Sequence, residues 1–177
     1  MPLHEIEITN FRGIKKGSIN ELGKEQILIR RNNTGKSTVL EAICLLLSTP
    51  VGNDALNRSV LAIISRRRGW FGSESVSALF YNYGKKLEIN GLDDNKQLTI
   101  NIEEAIVEAS YLSFVEKRGL DIKSVRRLST EITQGDAKFK ISIYFDKEGK
   151  YYNLFESEGA NKIETYKATL MDRGLIV

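Results

Sequence analysis

QILIRRNNTGKSTVLEAICLLL, residues 26–47, is a short apolar strand pattern that empties into a polar loop and restarts as an apolar helix. That order is the layout of a phosphate-binding loop. The tripeptide Gly35-Lys36-Ser37 is weak evidence by itself, because its residue types are common and such a run recurs by chance. Its flanks carry the reading. Ile27, Leu28 and Ile29 read as a buried strand. Val39, Leu40, Ala42, Ile43, Leu46 and Leu47 recur so densely that the following helix is expected to be covered nearly all round. Ser48-Thr49-Pro50 is its expected stop.

In a loop of this kind the main-chain N–H groups of Asn33, Thr34, Gly35, Lys36, Ser37 and Thr38 point at a bound phosphate, and the positive end of the helix reinforces them. Lys36 is the candidate point charge for the β- and γ-phosphates, and the Ser37 hydroxyl the candidate ligand of Mg²⁺. Thr38 is expected to face the α-phosphate, and a side chain at position 35 would fill the space the phosphate needs. One position departs from G-x-x-x-x-G-K-[ST]: Arg30 stands where the first glycine is expected, followed by Arg31. Glycine there eases the turn out of the strand, so Arg30 is expected to strain the loop or reshape its entrance, with its charge as partial compensation.

The segment before the loop narrows the reading. Residues 5–9 alternate, Asn10 to Gly13 turn, and residues 14–19 give a second extended segment, so a hairpin precedes the loop strand. IEITNFRGIKKGSI followed by ILIxxNNTGKSTVLEAI resembles the amino-terminal start of the RecF, SMC and OLD-family ATPases, a branch of the ABC-type P-loop ATPases. The resemblance implies an α/β P-loop NTPase lobe with an antiparallel β subregion and a central P-loop helix. It further implies ATP and Mg²⁺ as ligands, and a homodimer or a partner subunit in the full-length ATPase. It places Arg12 near the phosphates or ribose, packs Phe11 inward, and matches Asn32 and Asn33 to the Asn-rich loop of that branch. Arg30 is the mismatch.

Hydrolysis in that branch needs an apolar strand ending in Asp-Glu and a signature loop, and neither is recognisable here. Residues 141–146, ISIYFD, come nearest, but their alternation reads as a half-exposed antiparallel strand and Lys147 follows instead of an acid. Gln134 is a weak candidate for the glutamine that senses Mg²⁺ and the γ-phosphate in these relatives. The chain therefore reads as one ATP-binding lobe over residues 1–177, the amino-terminal part of a longer ATPase, with no catalytic residue identifiable.

Composition bounds the alternatives. With 177 residues, 41% hydrophobic and 28% charged, the chain is ordinary for a globular domain, and its longest apolar run is far too short to cross a bilayer. Cytoplasm is the expected compartment. A lone Cys44 and a lone His4 give no disulfide, zinc framework or histidine-based nucleophile. A net charge of +3 is compatible with nucleic acid without pointing to it.

Further along, residues 55–68 read as a helix ending in Arg66-Arg67-Arg68, and Ser73 to Tyr81 as a short helix with Val76, Leu79 and Phe80 facing in. Residues 85–90 and 96–102 read as a hairpin turning at residues 91–95, and residues 103–118 as a helix with Val107, Tyr111 and Val115 on one stripe. Asp121 is expected to cap a brief helix holding Arg126 and Arg127, and residues 138–145 and 150–155 to pair around 146–149; residues 161–177 fit either strand or helix. A GTPase is disfavoured by the spacing of D-x-x-G and N-K-x-E, and a small-molecule kinase by the hairpin before the loop. The alternative from another class is a non-enzymatic module whose degenerate loop binds nothing, with basic residues at 66–68, 85–86 and 126–127 touching DNA or a protein.

Overall fold

The computed structural model describes residues 3–23, 35–48, 61, 72–93, 96–148 and 151–155. Its frame is a seven-stranded sheet in the order β2-β1-β3-β4-β5-β6-β7, every neighbouring pair antiparallel. The strands are β1 Leu3–Phe11, β2 Ile14–Ile19, β3 Lys86–Asp93, β4 Lys96–Ala105, β5 Arg126–Gln134, β6 Ala137–Phe145 and β7 Tyr151–Phe155. Among the described residues two α-helices, α1 Lys36–Leu47 and α2 Ala109–Lys117, and two 3-10 helices, Gly72–Leu79 and Tyr81–Tyr83, accompany it.

Period-two alternation sorts the sheet into two faces. On one, Ile8, Ile89, Ile100, Ile132 and Phe139 stand opposite one another across five strands, with Leu87, Ile102, Leu128, Ile141 and Ile143 beside them in the main core. Helix α1 lies on this face and buries Ala42, Leu45 and Leu46. It comes close at Gly91, where a Cβ would overlap the Leu46 side chain. On the other face Glu7, Asn90 and Thr99 form a polar row, in which the Thr99 hydroxyl donates to Asn90 Oδ1 at 2.7 Å. Helix α2 and the turn after it cover the far end of that face, packing Val115 and Leu120 on Tyr144, with Tyr111, Phe114, Tyr152 and Leu154 around them.

The first hairpin, the last hairpin and the inward set Val76, Leu79 and Phe80 stand as expected. Other expectations are corrected. Gly91 and Leu92 are strand, not turn: β3 and β4 stay paired out to Asp93 and Lys96, because Gly91 serves packing against α1. Residues 103–105 continue β4, and the helix begins only at Ala109, although its stripe of Val107, Tyr111 and Val115 does face the sheet. Arg126 and Arg127 lie in β5, not in a helix; Asp121 closes a turn instead, accepting from the Lys123 N–H at 3.0 Å and the Ser124 hydroxyl at 2.9 Å. Strand β6 is antiparallel but buried on both faces from Ile141 to Phe145, since α2 covers the side that alternation would leave open. Helix α1 is not covered all round either: Leu40 is 58% exposed.

The expected strand at 27–29, most of the helix at 55–68 and residues 161–177 lie outside the described residues. Leu61 is described, and it is buried in the main core. Among the described residues no helix is long and apolar enough to cross a membrane.

Candidate functional site

Gly35 is the N-cap of α1 and adopts φ 87°, ψ 6°, the left-handed region. Glycine enters that region without steric penalty, and among the described residues a Cβ here would meet no atom closer than Ile14, 4.0 Å away. The requirement for glycine within the protein is therefore conformational rather than one of crowding. The first helical hydrogen bond runs from the Val39 N–H to the Gly35 carbonyl at 3.0 Å, so the N–H groups of Lys36, Ser37 and Thr38 precede the i→i−4 ladder. Gly35 offers no capping side chain, and the helix carries no acid in its own first turn. Lys36 is half-buried, Ser37 is exposed and Thr38 is buried. Asn32, Asn33 and Thr34, together with Arg30, lie outside the described residues.

Arg12 joins this corner from the sheet. Phe11 pairs with Ile14, so Arg12 and Gly13 make a two-residue turn, and Arg12 takes φ 51°. Its N–H donates to the Leu79 carbonyl at 2.8 Å, tying the turn to the 3-10 helix. Phe11 is buried, as the resemblance implies. The Arg12 side chain runs to the second turn of α1, where Nε lies 2.6 Å from Glu41 Oε2 and both side chains are 3% exposed.

Glu41 has no place in the sequence reading. Its signal was there: Thr38 and Glu41 are three apart, on the helix side that also carries Ala42 and Leu45, so a carboxylate at 41 had to be buried beside a partner. The structure thus brings Arg12 against Glu41 midway along α1, while Gly35, Lys36, Ser37 and Thr38 stand at the amino end of the same helix.

Other candidates lie elsewhere. The strand register sets Gln134 on the rung of Gly91 and Leu98, near the carboxyl end of α1 and away from Gly35. Asp146 is buried at the end of β6 and accepts from the Asp121 N–H at 3.4 Å, within the turn that follows α2. Arg126, half-buried, and Arg127, buried, are both engaged in contacts within the protein. Arg126 binds Glu104 through Nε at 2.8 Å and Nη2 at 2.6 Å, and its Nη1 reaches the Ser73 carbonyl and the Ser77 hydroxyl. Arg127 donates from Nε to the Ser142 hydroxyl at 3.0 Å. Lys85 and Lys86 are exposed, and Arg66, Arg67 and Arg68 lie outside the described residues. No group of three metal-ligating side chains is found among the described residues. A groove of about 480 Å³ opens on the polar sheet face between Glu5, Glu7, Ser18, Asn90 and Gln97, on the side opposite α1.

An uncharacterized protein of Methanocaldococcus jannaschii is 40% identical over 88 residues, 50% of this chain and 40% of its own length. A Helicobacter pylori protein named ATP/GTP phosphatase is 28% identical over 148 residues, 81% of this chain and 39% of its own. A second uncharacterized protein of M. jannaschii is 23% identical over 127 residues, covering 63% of this chain and 38% of its own. The chain thus spans about two fifths of the length of the curated relatives it matches. The family described as AAA ATPase domain matches residues 1–173, nearly the whole chain, and the chain belongs to that family of P-loop ATPases.

Proposed function

We propose that this chain is the nucleotide-binding, amino-terminal lobe of a longer ATPase of the RecF, SMC and OLD-like branch, and that it holds Mg-ATP at the amino end of α1. The observation that carries the reading is Gly35 in the left-handed region, followed directly by Lys36, Ser37 and Thr38 in a helical turn free of acidic residues. A helix start of that composition suits a triphosphate: successive N–H groups and a lysine complement its charge. Membership of an ATPase family and a relative named ATP/GTP phosphatase support the same ligand class.

In this reading the backbone of Asn32, Asn33, Thr34 and Gly35 wraps the phosphates, and Lys36 serves the β- and γ-phosphates. Thr38 faces the α-phosphate, and Arg12 borders the site. The exposed Ser37 hydroxyl is a suitable oxygen ligand for Mg²⁺, which when bound would neutralise phosphate charge. With no residue assigned to activate water, turnover is proposed for the longer protein and its partner subunit, and a role in DNA maintenance or defence belongs to that whole.

Titration of Mg-ATP into the protein and into Lys36→Ala tests the reading. The native chain should bind, and the variant should lose at least about tenfold, the size of one charge-assisted hydrogen bond. Equal and negligible heats from both would favour a non-enzymatic interaction module.

A further inference from the structure

The helix Gly72–Leu79 keeps the 3-10 form for eight residues, about twice the run that its poorer hydrogen-bond geometry ordinarily sustains. Side chains three apart eclipse in that form. Ser73, Val76 and Leu79 accordingly lie on one line, and all three are buried. The element is also fastened at both ends. Arg126 Nη1 donates to the Ser73 carbonyl at 3.0 Å and to the Ser77 hydroxyl at 2.9 Å, while the Leu79 carbonyl accepts from the Arg12 N–H at 2.8 Å. The same segment holds a second helical pattern. Val76, Leu79 and Phe80, spaced i, i+3 and i+4, would share one side of an α-helix. Phe80 is instead extended, at φ −98° and ψ 142°, and bridges Phe11 at the end of β1.

We infer that residues 73–80 form a two-state strut, which Arg126 latches in the stretched 3-10 form and which shortens into α-helix when that latch opens. From Ser73 to Leu79 the length falls from about 12 Å to about 9 Å, because each residue rises about 2.0 Å in a 3-10 helix and about 1.5 Å in an α-helix. Winding Phe80 into the helix withdraws it from Phe11, so the shortening acts on the end of β1 and on the turn that follows. That turn leads into Ile14, the described side chain nearest the Cβ position of Gly35. The strut thereby couples β4 and β5, where Arg126 is paired with Glu104, to the surroundings of Gly35. The nucleotide side of this coupling rests on the proposed phosphate site.

Nuclear magnetic resonance of the whole chain tests the strut, because αH–NH contacts between residues i and i+2 mark the 3-10 form and those between i and i+4 the α form. The native chain should show the first pattern over residues 73–79. Arg126→Ala, or the milder Ser77→Ala if the first does not fold, should replace it with the second. A latch that is only a structural contact predicts retention of the first pattern or loss of both as the segment frays. Either result in the folded variants overturns the inference, as does a native segment already in the α form. Mg-ATP titration reads the coupling. An opened strut leaves the turn to be ordered on binding, so Arg126→Ala should weaken Mg-ATP by about fivefold, the low end of couplings between sites. Unchanged affinity beside the α pattern would overturn the coupling. Negligible binding by both the native chain and Lys36→Ala would overturn the nucleotide reading and the coupling with it, whereas the resonance patterns decide the strut by themselves.

Discussion

A methyl group at position 91 would overlap the Leu46 side chain and stand 2.9 Å from Leu3 and 3.1 Å from the Glu5 carbonyl oxygen. Two of those neighbours are core side chains and the third is the backbone of the paired strand, so none can retreat far. Gly91→Ala should therefore destabilise the fold by about 1–3 kcal/mol, the usual range for overpacking. Urea unfolding checks it: an unchanged midpoint would mean that α1 can lift off β3 at little cost. Gly35 illustrates a different demand, since none of the described residues crowds its Cβ position and its dihedral angles call for glycine. The sequence alone does not separate the two cases. Gly35 was legible through Lys36 and Ser37, whereas Gly91, beside Asp93 and Asp94, carries the composition of a turn and conceals a packing role set by a helix some forty-five residues upstream. Glu41 was hidden for a related reason: its partner sits in another element, and helical spacing shows which side it faces but not what waits there.

At the level of elements, the turn between α2 and β5 depends on Asp121. The Lys123 N–H, the Ser124 hydroxyl and the Lys147 ammonium hold its carboxyl below the ordinary aspartate range. A depressed folded pKa stabilises the protein above the unfolded value, and that contribution disappears as pH falls through the folded value. The difference in melting temperature between the native chain and Asp121→Asn should thus be present at about pH 6 and shrink below about pH 4. A gap that stays constant over the acid range would show that the charge contributes nothing. Elements with strict local alternation, such as β1 and β6, were legible from the sequence. Strand β5 was not, because Arg126 and Arg127 open it with charge and the preceding Asp121 offers an equally good helix cap. The end of β4 was obscured likewise by Glu103 and Glu104, and Glu104 is in strand because Arg126 on the neighbouring strand pairs with it.

Across the whole molecule, the sheet order follows chain order except that β1 turns back beside β3, which brings the amino-terminal hairpin against the rest of the sheet. Such a contact is non-local and leaves no mark in any short window of sequence. The 3-10 helix Gly72–Leu79 joins the two regions: Arg126 holds its start through the Ser73 carbonyl and Ser77 hydroxyl, and its end accepts from Arg12. Arg126→Ala removes one side of this bridge and leaves Glu104 without its forked partner, so a loss of roughly 1–3 kcal/mol is expected. Arg126→Lys should recover less than the whole, because a point charge cannot replace the fork. Denaturant melts of the three proteins decide it, and full recovery by lysine would reduce the contact to simple charge.

Helix α1 is wedged by Leu46 over Gly91 near its carboxyl end and fastened by charge at Glu41, midway along it. A rod moored this way resists axial sliding, since Leu46 would have to climb out of its notch, but it can tilt about that notch if the charged mooring slackens. Its 12 residues span about 18 Å, so a tilt of about 5° would carry the tip at Lys36 through roughly one to two ångströms. Any such tilt would be felt at the turn between β1 and β2, whose Arg12 is joined to the helix.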